Sequence, residues 1–219
     1  MPDSTHRTAQ IFTRLHSRYP LPVTMLDWRN PWELLVATVL AAQCTDARVN
    51  MVTPEFFRRW PGPAELSRAP VAEVQKVVHS TGFFRQKAKN LIASAKRVVE
   101  ENGGRVPETM ADLLTLPGVA RKTANIVLSN ALGKHEGIAV DTHVRRLSFR
   151  LGLTTSTNPT IIERDMMQLF PRDQWGDINH LLVLHGRDTC PARKPRCPDC
   201  ILTDLCPKHG LSRPLTSDS

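Results

Sequence analysis

Four cysteines fall within one short stretch near the C-terminus: Cys190, Cys197, Cys200 and Cys206, spaced C-x6-C-x2-C-x5-C. Four thiolates saturate one metal centre, and a loop this short needs such a staple to hold its shape. Zinc and an iron–sulfur centre both accept this donor set. Zinc sites usually pair their cysteines as two C-x2-C units. Here only Cys197 and Cys200 form such a pair, and the wide outer gaps lean toward iron–sulfur. Between the first two cysteines lie Arg193, Lys194 and Arg196. Three cations on a loop clamped at both ends suit phosphate contact, although a solvated basic loop has the same composition. Cys44 stands apart in an apolar segment and reads as a small core residue.

A second cluster of chemistry lies upstream, in Leu116-Pro117-Gly118-Val119-Ala120-Arg121-Lys122, followed at a distance by Asp141. Pro-Gly joins two helices through a tight turn, and Gly118 leaves the backbone bare. The following helix then starts with unpaired N–H groups, which bind a phosphate without reading sequence. An ordinary helix–turn–helix corner would look the same. Lys122 shifts the balance. It sits in the first turn, at the positive end of the helix dipole, where a structural helix prefers Asp or Glu. Arg121 adds like charge beside it. Lys122 shares a helix face with Ile126, Ser129 and Gly133, small or apolar residues that suit a cleft. A desolvated lysine beside other cations is a nucleophile, whereas a lysine that contacts phosphate needs no such setting. Asp141 precedes a plausible helix start and suits an N-cap. An ionised carboxylate also stabilises an oxocarbenium-like sugar as a glycosidic bond breaks, so the two roles are compatible.

The elements that must position these groups are helical. Asn30-Pro31-Trp32-Glu33 is a helix start with cap, proline and acid in order. Residues 34–42 follow, apolar nearly all round, and predict a central helix. Val71, Val74, Val77 and Val78 form one stripe; Ala88, Leu91, Ile92, Ala95, Val98 and Val99 form another. Further helices are expected over 107–114, 120–132, 141–151, 159–170 and 174–185. Only 137–140 reads as extended, too short for a sheet, so the fold class is all-α. The polar, glycine-bounded break at 133–137 suits an interdomain connection, and the C-terminal tail is expected to be disordered. The 219 residues carry 29 Lys+Arg against 21 Asp+Glu, a net charge of +8 and a pI near 9.7. That surface favours a polyanionic partner. No run of about 18 apolar residues occurs, so no membrane span is expected. The N-terminus lacks the layout of a signal peptide, which points to an intracellular protein, where clustered cysteines mean metal.

Together these residues resemble endonuclease III, the bifunctional DNA glycosylases of the helix-hairpin-helix superfamily. The resemblance rests on Leu40-Ala41-Ala42-Gln43-Cys44-Thr45-Asp46, the hairpin through Asn125, Val140-Asp141-Thr142-His143, Leu184-His185-Gly186-Arg187 and the four-cysteine loop. They occur in family order over roughly residues 30–207. The resemblance implies two helical domains with DNA in the cleft between them. One is a six-helix barrel over 24–135 with the helix-hairpin-helix. The other joins 1–23 to 136–209 and carries a [4Fe-4S] cluster on the four cysteines, leaving 210–219 as a tail. It implies Lys122 as the nucleophile toward C1′ of a damaged nucleotide and Asp141 as the group assisting base departure. Gln43 would fill the gap left by the flipped base, and Phe84 or Arg85 would act as second wedge. Leu116, Gly118, Ala120, Arg121, His143, Arg193, Lys194 and Arg196 would contact DNA, with Ala41 and Asp46 near the base pocket. The implied protein is a bacterial, cytoplasmic, nucleoid-associated monomer. It removes oxidised pyrimidines from duplex DNA and nicks the strand at the abasic site.

Two departures stand out. The family hairpin ends Gly-Val-Gly, here Gly118-Val119-Ala120, which places an extra methyl beside the phosphate. The family Leu-Ser-x-Gln segment here reads Leu40-Ala41-Ala42-Gln43, without the hydroxyl. An adenine-mismatch glycosylase of the same fold would lack the hairpin lysine. A docking module without enzymatic activity would need neither Lys122 nor Asp141.

Overall fold

The computed structural model describes residues 4–211. Among them the chain is helical, with no strand, and divides into two compact units. One unit spans Thr24–Glu136, and the other joins the N-terminal stretch through Val23 to the chain from Gly137 onward. The part of the expected tail at 212–219 lies outside the described residues.

The first helix of the 24–136 unit shows how sequence sets its structure. Helix α1 (Ser4–Arg18) belongs to the other unit; α2 runs Pro31–Leu40. The Asn30 side chain accepts from Glu33 N–H at 3.0 Å, and Pro31 occupies a first-turn position whose N–H has no intrahelical partner. Glu33 turns back to accept from Arg29 N–H at 2.9 Å and pairs with its guanidinium at 2.7 Å. Every residue of α2 from Trp32 to Leu40 is buried, as its all-round apolarity demands. Around it stand α3 (Asp46–Arg59), α4 (Pro63–Ser67), α5 (Val71–Val78), α6 (Phe84–Asn102), α7 (Met110–Thr115) and α8 (Arg121–Leu132). Helix α2 packs on α3, α6 and α8, and α6 also packs on α4 and α5. One continuous core results, running from Leu34 and Val36 through Phe56, Leu66, Val74, Leu91 and Ala95 to Val127 and Leu128.

In the other unit, α1 packs against α10 (Pro159–Leu169) and α11 (Trp175–Asp188), and α9 (Thr142–Arg150) packs against the same two helices, around Ile11, Leu15, Leu147, Ile162, Met166 and Leu181. Residues 137–140, expected to be extended, are irregular. Ile138 and Ala139 are buried there, and Asn179 donates to the Ala139 carbonyl at 2.5 Å. A lone buried run needs a partner for its backbone groups, and a side chain supplies one where no neighbouring strand exists.

Candidate active site and cysteine loop

Helices α7 and α8 meet in a turn pinned from below. Leu116 and Val119 are buried, and Val119 N–H bonds to the Leu116 carbonyl at 3.1 Å. The burial of Leu116 leaves its backbone, not its side chain, for any contact with DNA. Gly118 stands at φ +83°, and a Cβ there would lie 2.7 Å from Asn90 Nδ2 and 2.9 Å from Asn90 Cβ. Both conformation and space therefore demand glycine. From α6, Ser94 donates to the Pro117 carbonyl at 2.8 Å and Arg97 donates to the Thr115 carbonyl. The turn's carbonyls are held from behind by α6.

Helix α8 begins after Ala120, which is exposed and extended (φ −94°, ψ 167°) and makes no side-chain cap. Alanine adopts that conformation without strain, so the departure at 120 costs the backbone nothing. Arg121 and Lys122 are exposed on the first turn, with Ile126 and Ser129 half-buried further along. Lys122 is open to water in the protein without DNA. Its electrostatic setting is as read: a cation at the positive helix end beside a second cation.

Asp141 caps α9. Its Oδ1 accepts from Val144 N–H at 2.8 Å, and the residue is half-buried. It lies near His180, whose pKa burial pushes down to about 4 while the Asp141 charge pulls the other way. His143, two residues on, is half-buried and meets Arg146 Nη2 at 3.2 Å through Nδ1. A Cβ on Gly186 would lie 2.8 Å from both atoms, so Gly186 makes room for the pair. The His-Gly pair at 185–186 thus serves two neighbours. Gly186 admits His143 and Arg146, and His185 faces the cysteines.

Two loop tips of the 24–136 unit carry residues in the left-handed region. Gln43 (φ 55°) is exposed on the turn after α2, between half-buried Ala41 and half-buried Asp46. Phe83 (φ 47°) follows Gly82 (φ 72°) and is 65% exposed. Phe84 instead packs toward the core and on His79, ring centroids 4.5 Å apart, while the exposed Arg85 guanidinium lies over its ring. Phe83 therefore projects from this segment beside the exposed Arg85, whereas the sequence pointed to Phe84 or Arg85. A signal was present: Phe84 is in register with Ala88, Leu91 and Ala95 on the buried face of α6, and Phe83 is not.

Cys190, Cys197, Cys200 and Cys206 line one cavity, with Arg150, His185, Leu147 and Leu151 in its wall. Among the described residues, no three His, Cys, Asp or Glu gather closely enough for a single metal ion. Arg150 Nη1 lies 3.2 Å from Cys190 Sγ, His185 Nε2 lies 3.4 Å from Cys200 Sγ, and Leu202 N–H donates to Cys200 Sγ. Burial pushes the Cys200 and Cys206 thiols up, and the neighbouring cysteines reinforce it. Four bare thiolates would repel one another here, so bound positive charge must accompany their ionisation. The loop is buttressed on both sides. Arg150 donates to the Pro191 and Ala192 carbonyls at 2.8 and 2.9 Å. From α1, Arg14 donates to the Ile201 carbonyl at 2.9 Å and pairs with Asp204. Arg193 and Lys194 are exposed, the latter at φ 52°, whereas Arg196 pairs with Asp188 at 3.0 Å.

Comparison with known proteins bears on the same residues. Residues 36–172 match the model of the HhH-GPD superfamily base excision DNA repair proteins. Endonuclease III of Synechocystis is 50% identical over 97% of both chains. The Bacillus subtilis enzyme of that name is 44% identical over 91% of both. Among solved structures, a non-covalent endonuclease III–DNA complex superposes with a TM-score of 0.88 at 37% identity, covering 93% of this chain and 95% of that one. A trapped covalent endonuclease III–DNA intermediate gives 0.86 at 38%, covering 92% and 96%. With a hairpin glycine required by both space and conformation and likeness along nearly its whole length, the chain belongs to the endonuclease III family of HhH-GPD base excision DNA repair proteins.

Proposed function

We propose that this chain removes oxidised pyrimidines from duplex DNA and then cleaves the strand through a Schiff base on Lys122. Membership of the family makes it a base excision repair glycosylase with a lyase step. The observation that carries the assignment of residues is the hairpin. An uncapped helix start, backed by α6 and bare at Gly118, carries Lys122 on its exposed first turn.

The chemistry follows from these groups. The hairpin amides bind a phosphate. Gln43 and Phe83 fill the gap when the damaged nucleotide leaves the stack, a step made easier by weakened pairing at a lesion. The uncharged Lys122 amine attacks C1′ as the C1′–base bond breaks, and the Asp141 carboxylate offsets the positive charge that develops on the sugar. Protonation of O4′ and cleavage of the C1′–O4′ bond then open the sugar ring to an iminium, which acidifies C2′. Loss of a C2′ proton expels the 3′ phosphate, which leaves a nicked strand and a sugar still bound to the enzyme until hydrolysis frees Lys122.

The four-thiol cavity fits a [4Fe-4S] cluster held by Cys190, Cys197, Cys200 and Cys206. Bound, it supplies the positive charge that lets the thiols ionise, and it fixes the loop that carries Arg193 and Lys194 toward phosphate. The relatives are bacterial, and no helix among the described residues is long and apolar enough to cross a membrane. The protein would act as a monomer in the cytoplasm, on the nucleoid.

A gel assay tests the proposal. A duplex bearing thymine glycol, dihydrothymine or an oxidised cytosine should be nicked with a β-elimination terminus, and a uracil duplex should remain whole. Base release that leaves an intact abasic strand would contradict the lysine chemistry.

A further inference from the structure

Lys87 stands on the buried face of α6, in register with Phe84, Ala88 and Leu91, and is 5% exposed. An apolar side chain would fill that place at lower desolvation cost. Its Nζ donates to two main-chain carbonyls, Leu40 O and Thr81 O, each at 2.8 Å. Burial lowers its pKa, with Cys44 opposing, yet either protonation state donates both bonds.

The two carbonyls have related positions. Leu40 ends α2, and Cys44 N–H turns to Ala41 O, so the Leu40 carbonyl is one that a helix end leaves over. Three residues on stands Gln43 at φ 55°. Thr81 ends a 3-10 turn, His79–Thr81, and leads through Gly82 at φ 72° to Phe83 at φ 47°. Both carbonyls lie at negative helix ends, where a cation is favoured. One amine therefore ties down the roots of both loop tips.

We propose that Lys87 is a positioning residue for base extrusion, holding the Gln43 and Phe83 tips at a fixed separation through the Leu40 and Thr81 carbonyls. The inference rests on the reading of those tips as wedges. Lys87 touches neither the substrate nor the reacting atoms. Without its two bonds the tips move independently and the nucleotide is extruded less often.

The test uses the full chain as Lys87→Met, which keeps length and apolar bulk but loses both donors, with Lys87→Arg as the conservative variant. The substrates are thymine glycol opposite adenine and thymine glycol opposite an abasic analogue, where no partner base holds the lesion. A 2-aminopurine beside the lesion reports extrusion. Lys87→Met should lose roughly tenfold in single-turnover excision on the paired duplex, with a matching loss of the fluorescence rise. Opposite the abasic analogue the loss should narrow to about twofold, and Lys87→Arg should recover most of the paired-duplex rate. A purely structural residue would slow both substrates equally, and that result overturns the inference. So does normal extrusion by Lys87→Met while Phe83→Ala is impaired. If Gln43→Ala and Phe83→Ala both extrude normally, the wedge reading itself has failed. Should Lys87→Met not fold, Lys87→Leu, which also lacks both donors, must show the same substrate-selective loss, and an equal loss on both substrates refutes the proposal.

Discussion

Replacing Gly118 by alanine tests whether the hairpin is held as described. Two penalties add. The positive φ of +83° costs a side chain about 1–2 kcal/mol. The new Cβ, 2.7 Å from Asn90 Nδ2 and 2.9 Å from Asn90 Cβ, must push α6 or the turn aside, and such overpacking costs about 1–3 kcal/mol. The sum, roughly 2–5 kcal/mol, should lower the melting temperature by roughly 4–20 °C and weaken binding to undamaged duplex. Asn90→Ala removes the Nδ2 contact at 2.7 Å and the Cγ contact at 3.1 Å but leaves the Cβ contact at 2.9 Å. In a double-mutant cycle read by thermal unfolding, Asn90→Ala should therefore return about 1 kcal/mol of the loss, leaving the conformational part intact. An unchanged melting temperature in Gly118→Ala would refute the argument. Strict additivity with Asn90→Ala would refute its steric half.

Other perturbations separate the remaining roles. Asp141→Asn keeps the cap on Val144, so stability should hold within about 0.5 kcal/mol, while base release falls by roughly 10²–10³-fold and nicking of a preformed abasic site is spared. Asp141→Ala should in addition lose about 1 kcal/mol in denaturant unfolding; wild-type excision by the Asn variant would reduce Asp141 to a cap. His180, held near a pKa of about 4 in the fold, binds its proton more readily when unfolded. Stability should therefore fall as pH drops from about 6.5 toward 4, by up to roughly 3 kcal/mol from this residue, and His180→Gln should flatten the slope seen in urea titrations. Purified protein should be yellow-brown, with iron and sulfide in equal amounts, and Cys206→Ala should lose the colour and melt earlier; colourless protein containing zinc would contradict the cluster.

What the sequence revealed was mostly local chemistry. The start of α2 was legible because Asn30, Pro31 and Glu33 each do a job within one turn. The hairpin, the Asp141 cap and the cysteine loop were legible for the same reason. Helix α3 was not assigned, because Pro54 falls inside it, although Val49, Val52, Phe56 and Phe57 keep a helical spacing on its buried face. The helix expected from 107 begins at Met110, because Thr109 takes the cap by accepting from Asp112 N–H. Val71, placed in a buried stripe, is 41% exposed, and the stripe proper is Val74 and Val78 with Val77 partly buried. Adjacent Phe83 and Phe84 are alike in kind, and only their register on α6 separates a loop tip from a core side chain. The contacts by which α6 organises the hairpin and the two loop tips, through Lys87, Ser94 and Arg97, join residues up to 47 apart in sequence. Such contacts leave no periodic trace beyond a lysine inside an apolar stripe.

The central claim is that the Lys122 amine bonds to the sugar. Incubating the protein with a thymine-glycol duplex and sodium borohydride should yield a covalent protein–DNA adduct, with the peptide map placing the link at Lys122. Lys122→Ala should give no adduct and no nick. Strand cleavage by wild type without trapping, or an adduct that persists in Lys122→Ala, would contradict it.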